Sequence, residues 1–313
     1  MENQKPAVAV LLSTYNGERF LKEQLESVFS QTGVKVHLFL RDDGSSDKTL
    51  EIAEEYKETY NDSVTVIKGG NVGVGCSFME LVYSAGDDFD YYAFCDQDDI
   101  WLDGKLITAA EIIRKEEKDS PVLYCSNQML IDADGNETGL RHKEFVENSY
   151  LQILNCNKAT GCTMVWNRSL QRLLSEEQRR PAPEILKKRI HDVWVAMVAA
   201  VTGKIIYDEN AYILYRQHGG NVVGSKGTNV FVNWKSKISD PSLRNGRSAL
   251  AAEILKNYSD VIPDESVKDT LRNYSEYKTN KERRRILLKK GDIPKYSGEG
   301  NASVKIKIRL RLL

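Results

Sequence analysis

Three carboxylates in four residues, Asp96-Gln97-Asp98-Asp99, follow the apolar run Tyr91-Tyr92-Ala93-Phe94-Cys95. On an extended backbone the side chains at i and i+2 project to the same side, so Asp96 and Asp98 are spaced to grip one hard divalent cation, Mg²⁺ or Mn²⁺. Acids packed this closely repel one another. A divalent ion removes the repulsion and offers open coordination positions to phosphate oxygens, which makes the cluster a candidate for nucleotide chemistry. A solvated acidic turn has the same composition; the apolar strand before it and Ile100-Trp101 after it set this one apart.

The elements that must position these acids read as alternating strands and helices. Residues 8–12 form an apolar run suited to a strand buried on both faces, and it ends at Ser13-Thr14-Tyr15-Asn16-Gly17. Phe20, Leu21, Leu25, Val28 and Phe29 then recur at helical spacing over residues 18–30. A second strand over 34–40 ends at Asp42-Asp43-Gly44-Ser45-Ser46-Asp47, whose Ser or Asp can cap a helix over 48–60. A third, 64–67, ends at Gly69-Gly70-Asn71-Val72-Gly73, before a helix over 77–84. This alternation predicts a parallel sheet covered by helices, with ligands at the carboxyl ends of the strands, where all these polar loops fall.

Beyond the acids the pattern predicts a helix over 105–118, a strand over 122–125, a hairpin turn at 132–136 and a strand over 160–166. A helix containing 192–200 and a strand over 205–215, broken at Asp208-Glu209-Asn210, follow. From residue 233 the pattern is helical, with Val267, Leu271 and Tyr274 on one face.

With 313 residues the chain can bury a sizeable core, and its formal net charge of −1 argues against a nucleic-acid binder. The charge is uneven. Residues 281–313 carry 11 Lys/Arg against 3 acids, a balance of +8 that leaves the other 280 residues at −9. Arg283-Arg284-Arg285-Ile286-Leu287-Leu288-Lys289-Lys290 and residues 305–312 alternate cations with apolar side chains, a pattern fit for the anionic inner leaflet of a membrane or for a homo-oligomer contact. The longest apolar run, 193–201, is nine residues, too short to span a bilayer, and residues 1–6 carry no secretory pattern. Five cysteines without Cys-x-x-Cys spacing suggest reduced thiols in a cytoplasmic protein.

Taken in order, Leu12-Ser13-Thr14-Tyr15-Asn16, then residues 42–47, Asn71-Val72-Gly73 and Asp96-Gln97-Asp98-Asp99 resemble the signature of inverting family 2 glycosyltransferases with the GT-A fold, over about residues 7–220. Asp96-Gln97-Asp98-Asp99-Ile100-Trp101 and Tyr215-Arg216-Gln217-His218-Gly219-Gly220-Asn221 resemble, within that family, bacterial rhamnosyltransferases of cell-surface polysaccharide synthesis. The resemblance implies an α/β fold, a Rossmann-like, mostly parallel sheet covered by helices, in a GT-A domain over 1–225; outside it the residue pattern gives a helical extension over 226–290 and a basic-apolar tail over 291–313.

It also implies roles. Thr14, Tyr15 and Asn16 would approach the nucleotide, and Asp42 or Asp43 would accept the pyrimidine N–H. Asp96 would lie near ribose or metal, with Asp98 on the metal and Asp99 supporting either. His218 would complete the metal site, unless it is a solvated loop histidine, and Arg216 would contact the diphosphate. Asp192, preceded by His191, would be the general base, although a helix N-cap is a rival use. Gly161, Cys162 and Thr163 would lie near the acceptor, or simply start a strand; Trp194 would line the acceptor pocket or pack in the core. Gly73 and Gly75 are expected to serve the backbone. The implied reaction moves a sugar, with dTDP-L-rhamnose one candidate donor, from a dTDP- or UDP-sugar to a glycan or lipid-linked glycan, with Mn²⁺ or Mg²⁺, at the cytoplasmic face of the membrane. Two rivals are a haloacid-dehalogenase-like phosphatase, which also uses Asp-x-Asp after a strand, and a non-catalytic nucleotide-sugar-binding scaffold.

Overall fold

The computed structural model describes residues 5–116, 119–217, 246–289 and 291–313. In chain order these form β1 (Ala7–Thr14), α1 (Leu21–Phe29), β2 (Lys35–Asp42), α2 (Thr49–Tyr60), β3 (Val64–Lys68), α3 (Val74–Ser84), β4 (Tyr91–Cys95), β5 (Ile100–Trp101) and α4 (Lys105–Ile113). They continue with β6 (Val122–Ile131), β7 (Glu137–Leu140), α5 (Tyr150–Cys156), β8 (Val165–Asn167), α6 (Arg168–Ser175), α7 (Pro183–Lys188), α8 (His191–Thr202) and β9 (Lys204–Arg216). The described C-terminal part is helical: α9 (Gly246–Tyr258), α10 (Glu265–Glu276), α11 (Lys281–Lys289), α12 (Asp292–Ser297) and α13 (Asn301–Arg309).

The nine strands make one sheet in the order β3-β2-β1-β4-β8-β6-β9-β5, with β7 paired to β6. Its first half, β3-β2-β1-β4, is parallel. The second half is mixed: β8 runs antiparallel to both β4 and β6, β9 parallel to β6, and β5 antiparallel to β9. The loops after β1, β2, β3 and β4 therefore share one edge, as the strand-helix alternation predicts.

Side-chain alternation along β1 builds a core on each face. Val8, Val10 and Leu12 pack on one side with Leu21 and Leu25 of α1 and Leu106 of α4. Ala9 and Leu11 pack on the other with Phe78 of α3 and Trp194 of α8. All five strand residues are fully buried, as a continuous apolar run demands. Trp194 belongs to this second core and takes the packing role of the two it could have had.

Several local expectations change. Gly161–Thr163 is a 3-10 turn, and the strand begins only at Val165. α3 starts earlier, at Val74, directly after Gly73, whose φ of +84° is a conformation glycine adopts without strain. Residues 132–136 do form the β6–β7 connection, closed by the Asp132 amide donating to the Asn136 carbonyl at 3.0 Å. The break in β9 is a register irregularity, where Ser126 faces Asp208 and Asn127 faces Ala211.

The basic tail is helical and folds back onto the body. Leu287, Ile293, Val304, Ile308 and Leu313 are buried in the same core as α3 and α8, and the Leu313 amide donates to the Tyr277 hydroxyl at 2.8 Å. Glu299 pairs with both Arg247 and Lys307. Only Ile306 and Leu310 remain as large exposed apolar residues of the tail, at 54% and 62% exposure. The alternating pattern thus serves mainly internal packing. No helix among the described residues is long and apolar enough to cross a membrane. The proposed boundary at residue 225 and His218 both lie outside the described residues.

Candidate active site

A cleft of about 760 Å³ opens over the carboxyl edge of the parallel half-sheet. Ser13, Thr14 and Tyr15 from the end of β1, Asp43 after β2, Gly73 before α3, and Asp96, Gln97 and Asp98 after β4 form one wall. Asp192 at the start of α8, Gly161, Arg141, Lys158 and Arg189 form the other. Of the sequence-predicted site, Thr14, Tyr15, Asp43, Asp96, Asp98, Gly161 and Asp192 thus come together around one space.

The first wall is braced by a network that sequence reading missed in part. The Gln97 carboxamide oxygen accepts from the Thr14 hydroxyl at 2.6 Å and the Tyr15 amide at 2.9 Å, while its nitrogen donates to the Tyr15 carbonyl at 3.3 Å. This side chain ties the acid loop to the first loop, and its place between two acids was the only clue. Arg41, buried, donates to Asp43 at 2.6 Å and to Glu80 at 2.5 Å. Asp43 in turn accepts from the Val72 and Gly73 amides at 2.9 and 3.0 Å. One carboxylate therefore fixes the second and third loops together.

Asp42 and Asn16 do other work. Asp42, buried, accepts from the Ser45 amide at 3.0 Å and from the Ser45 hydroxyl, closing the turn, so of the two acids only Asp43 lines the cleft. Asn16 (φ +50°) holds the same turn by accepting from the Ser46 amide at 2.9 Å. Replacing Gln97 by Ala removes three hydrogen bonds that position the Thr14–Tyr15 segment. Each is worth about 1 kcal/mol net, so we expect the KM for a nucleotide-sugar donor to rise about tenfold or more with a smaller change in kcat, read by steady-state nucleotide release.

Among the acids, burial is the largest cause pushing the Asp96 carboxyl up to about 7, and the charges of Asp98 and Asp192 add to it. Asp99 is buried, and burial drives its carboxyl well above the usual range; the Arg216 amide donates to one oxygen at 3.0 Å and the other has no hydrogen-bond partner. Asp96, Asp99 and the Cys162 thiol bring ligand atoms within 4.8 Å of one another. Asp99 and Cys162, however, lie behind the cleft rather than in its lining, and burial holds the thiol protonated. We read Asp99 and Cys162 as neutral packing behind the cleft. Asp96 and Asp98, both lining the cleft, are the carboxylates of this loop that a hard divalent ion in the cleft can reach.

Arg216 is not part of the cleft lining. Its guanidinium donates to Glu23 at 2.6 Å, to the Asp98 carbonyl at 3.1 Å and to the Ala133 carbonyl at 3.3 Å, and it lies over the Phe20 ring. Those partners make it a brace under the acid loop instead of a diphosphate ligand. Cys162 and Thr163 are likewise buried behind the cleft, and the Thr163 hydroxyl donates to the Thr160 carbonyl at 2.8 Å.

On the opposite wall Asp192 is the second residue of α8, two positions past the Ile190 cap, and accepts from the Val193 amide at 2.6 Å. Burial is the first cause raising its carboxyl to about 6, against the lowering effects of that hydrogen bond and of Arg141. His191 is stacked on Phe78 (centroids 3.9 Å apart) and edge-on to Phe94, and burial pushes its imidazole down to about 3. It is thus a neutral packing residue, leaving Asp192 as the titratable group of the pair. Gly161 keeps this corner open, since a Cβ there would lie 2.9 Å from His191 Nε2 and 3.4 Å from the Asp192 Cβ.

The half-parallel sheet, the loops at its edge and the paired acids facing a third across a cleft define a GT-A glycosyltransferase. The fold matches TarS of S. aureus, residues 1–349, with a TM-score of 0.59 at 18% identity, covering 96% of this chain and 80% of that one. It also matches the mannosyltransferase PcManGT of Pyrobaculum calidifontis in complex with GDP-Man and Mn²⁺, with a TM-score of 0.52 at 12% identity and 99% and 87% coverage. Residues 9–174, more than half of the chain, match the profile of Glycosyl transferase family 2, and the chain belongs to that family. Among curated relatives, the dTDP-rhamnosyl transferase RfbG of Shigella flexneri is 28% identical over 221 residues, 68% of this chain and 74% of RfbG. The "Putative glycosyltransferase EpsH" of Bacillus subtilis is 26% identical over 184 residues, 58% of this chain and about half (51%) of EpsH. Family membership sets aside the phosphatase reading.

Proposed function

We propose that this glycosyltransferase is an inverting, metal-dependent rhamnosyltransferase that uses a pyrimidine nucleotide sugar and extends a lipid-linked cell-surface polysaccharide. The observation carrying this reading is the single cleft in which Asp96 and Asp98 face Asp192. Thr14, Tyr15 and Asp43 offer a hydroxyl, a half-exposed ring and a carboxylate acceptor at the end suited to a nucleoside. The likeness to RfbG, a dTDP-rhamnosyl transferase, supports dTDP-L-rhamnose as the first donor to test.

Asp96 and Asp98 would hold Mn²⁺ or Mg²⁺, which supplies Lewis-acid stabilisation of the departing diphosphate. Gln97 and Arg41 keep the nucleotide-facing loops in register. Asp192 takes the proton from the acceptor hydroxyl as that oxygen attacks the anomeric carbon from the face opposite the leaving group. An elevated carboxyl, near 6, suits a base working at neutral pH. The test is a panel of dTDP-, UDP- and GDP-sugars with Mn²⁺, read by nucleotide release. Preference for dTDP-L-rhamnose supports the reading; tight donor binding without turnover under any acceptor would favour a non-catalytic scaffold.

We place the enzyme at the inner face of the cell membrane through its basic tail. The exposed Ile306 and Leu310 lie one turn apart on α13, beside the exposed cations Lys305 and Arg309. Such a face gains from both apolar burial and anionic lipid. Sedimentation with vesicles containing anionic lipid is expected to fall severalfold for Ile306→Ser/Leu310→Ser, with no sedimentation on neutral vesicles. Equal sedimentation of the variant would remove the membrane from the account.

A further inference from the structure

The cleft is electrically divided. Its donor-side wall carries Asp43, Asp96 and Asp98, whereas Arg141, Lys158 and Arg189 line the wall around Asp192. These cations come from three separate places: Arg141 directly follows β7, Lys158 lies between α5 and the Gly161 turn, and Arg189 lies between α7 and α8. Among the described residues none of them has a carboxylate within ion-pair distance, although the chain places many of its other arginines and lysines in such pairs. Arg141 packs its guanidinium over the Tyr215 ring at 5.5 Å, and the Arg189 guanidinium donates at 3.3 Å to the Leu154 carbonyl, a neutral partner.

Burial first, and then Arg247, push the Arg189 guanidinium down to about 10. The His142 imidazole between Arg141 and Lys158 is lowered by burial and by both cations, and its Nε2 is buried without a hydrogen-bond partner. Holding three like charges around one space costs free energy in the empty protein, and an anion entering it recovers that cost. Both Arg141 and Arg189 also act on the Asp192 carboxyl, so the cationic zone surrounds the group that meets the acceptor hydroxyl.

We propose that this wall is an acceptor-side phosphate site, formed by Arg141, Lys158 and Arg189, and that the acceptor carries a phosphate ester close to the hydroxyl that is glycosylated. The inference rests on the reading of Asp192 as the base and goes beyond it by specifying the acceptor's chemistry. Two arginines and a lysine suit phosphate oxygens through charge-assisted hydrogen bonds. That chemistry occurs in the monoester or diester end of a lipid-linked sugar and in the phosphodiester repeat of a polymer.

The test is calorimetric titration of the full chain with N-acetylglucosamine 1-phosphate, glycerophosphoglycerol and neutral N-acetylglucosamine, each with and without saturating UDP and Mn²⁺. At least one phosphate probe is expected to bind tenfold or more tightly than the neutral sugar, and to do so with UDP present. Tighter binding of the sugar monoester points to a sugar-phosphate end, and tighter binding of the diester to a polymer repeat. Lys158→Ala, at an exposed position, and Arg141→Ala are each expected to weaken the phosphate probe about tenfold without altering UDP affinity. Equal affinity for the neutral sugar, phosphate binding abolished by UDP, or phosphate binding indifferent to both substitutions would overturn the proposal. Failure of UDP itself to bind would count only against a UDP-sugar donor, while the titrations without UDP still decide the phosphate site.

Discussion

Asp192→Asn is expected to lower kcat by about 10²–10⁴ and to leave the donor's affinity within a few-fold, because the substitution keeps shape and removes only the proton acceptor. The amide cannot take the acceptor's proton. The folded protein should tolerate the change, since the Val193 amide can still donate to the amide oxygen. A pH signature accompanies it. With the Asp192 carboxyl raised to about 6 by burial, the base is ionised above that value and protonated below it. kcat/KM should therefore fall about tenfold per unit as the pH drops below 6 and level off above about 7, and the residual activity of the Asn variant should lack this limb. A variant retaining a tenth or more of wild-type turnover would remove Asp192 from its role.

Asp98→Asn is the second large effect. Loss of one of two cleft carboxylates weakens the grip on a divalent ion, and turnover is expected to drop at least about 10²-fold, comparable to removing an electrostatic stabiliser of the leaving group. EDTA should produce the same loss in the wild type, reversed by Mn²⁺; the variant should need far more Mn²⁺ for partial recovery. The substitution also relieves repulsion on Asp96. Persistence of full turnover in EDTA would show that the acids serve another purpose.

The cleft wall built from the loops after β1 and β4 was legible in the sequence because those loops end apolar strands buried on both faces. Val8 to Leu12 and Tyr92 to Cys95 have no solvent-facing alternative, so the polar residues that follow must emerge together at one edge. The opposite wall, around Asp192, was harder to read. β8 has three residues and β5 two, too short for a period to register, and their antiparallel pairing depends on long-range contacts. Of the expected strand at residues 160–166 only Val165 and Trp166 join the sheet; Gly161–Thr163 forms a 3-10 turn in which Gly161 passes close to His191.

Polar residues misled where burial reversed their meaning. Arg216 reads as a phosphate ligand in a loop-end pattern, yet it is buried and its guanidinium spans Glu23, Asp98 and Ala133. Asp42 and Asp43 are indistinguishable by type; the Ser45 turn engages the first, and only the second reaches the cleft. Gln97 stands inside the acid motif and Lys158 in none, neither carried an expected role, and their importance lies in the loops they hold or face. The tail's alternating cations and apolar residues suggested a surface element, but Val304 and Ile308 fall at i and i+4 on α13 and complete the core.

The most direct measurement of the central claim is proton NMR of the anomeric centre during transfer from a nucleotide sugar in Mn²⁺, beginning with dTDP-L-rhamnose. The account expects a glycosidic product whose anomeric configuration is opposite to that of the donor, since the hydroxyl activated at Asp192 attacks across the cleft from the diphosphate. A product with the donor's own configuration, or no sugar transfer from any donor of the panel, would contradict it.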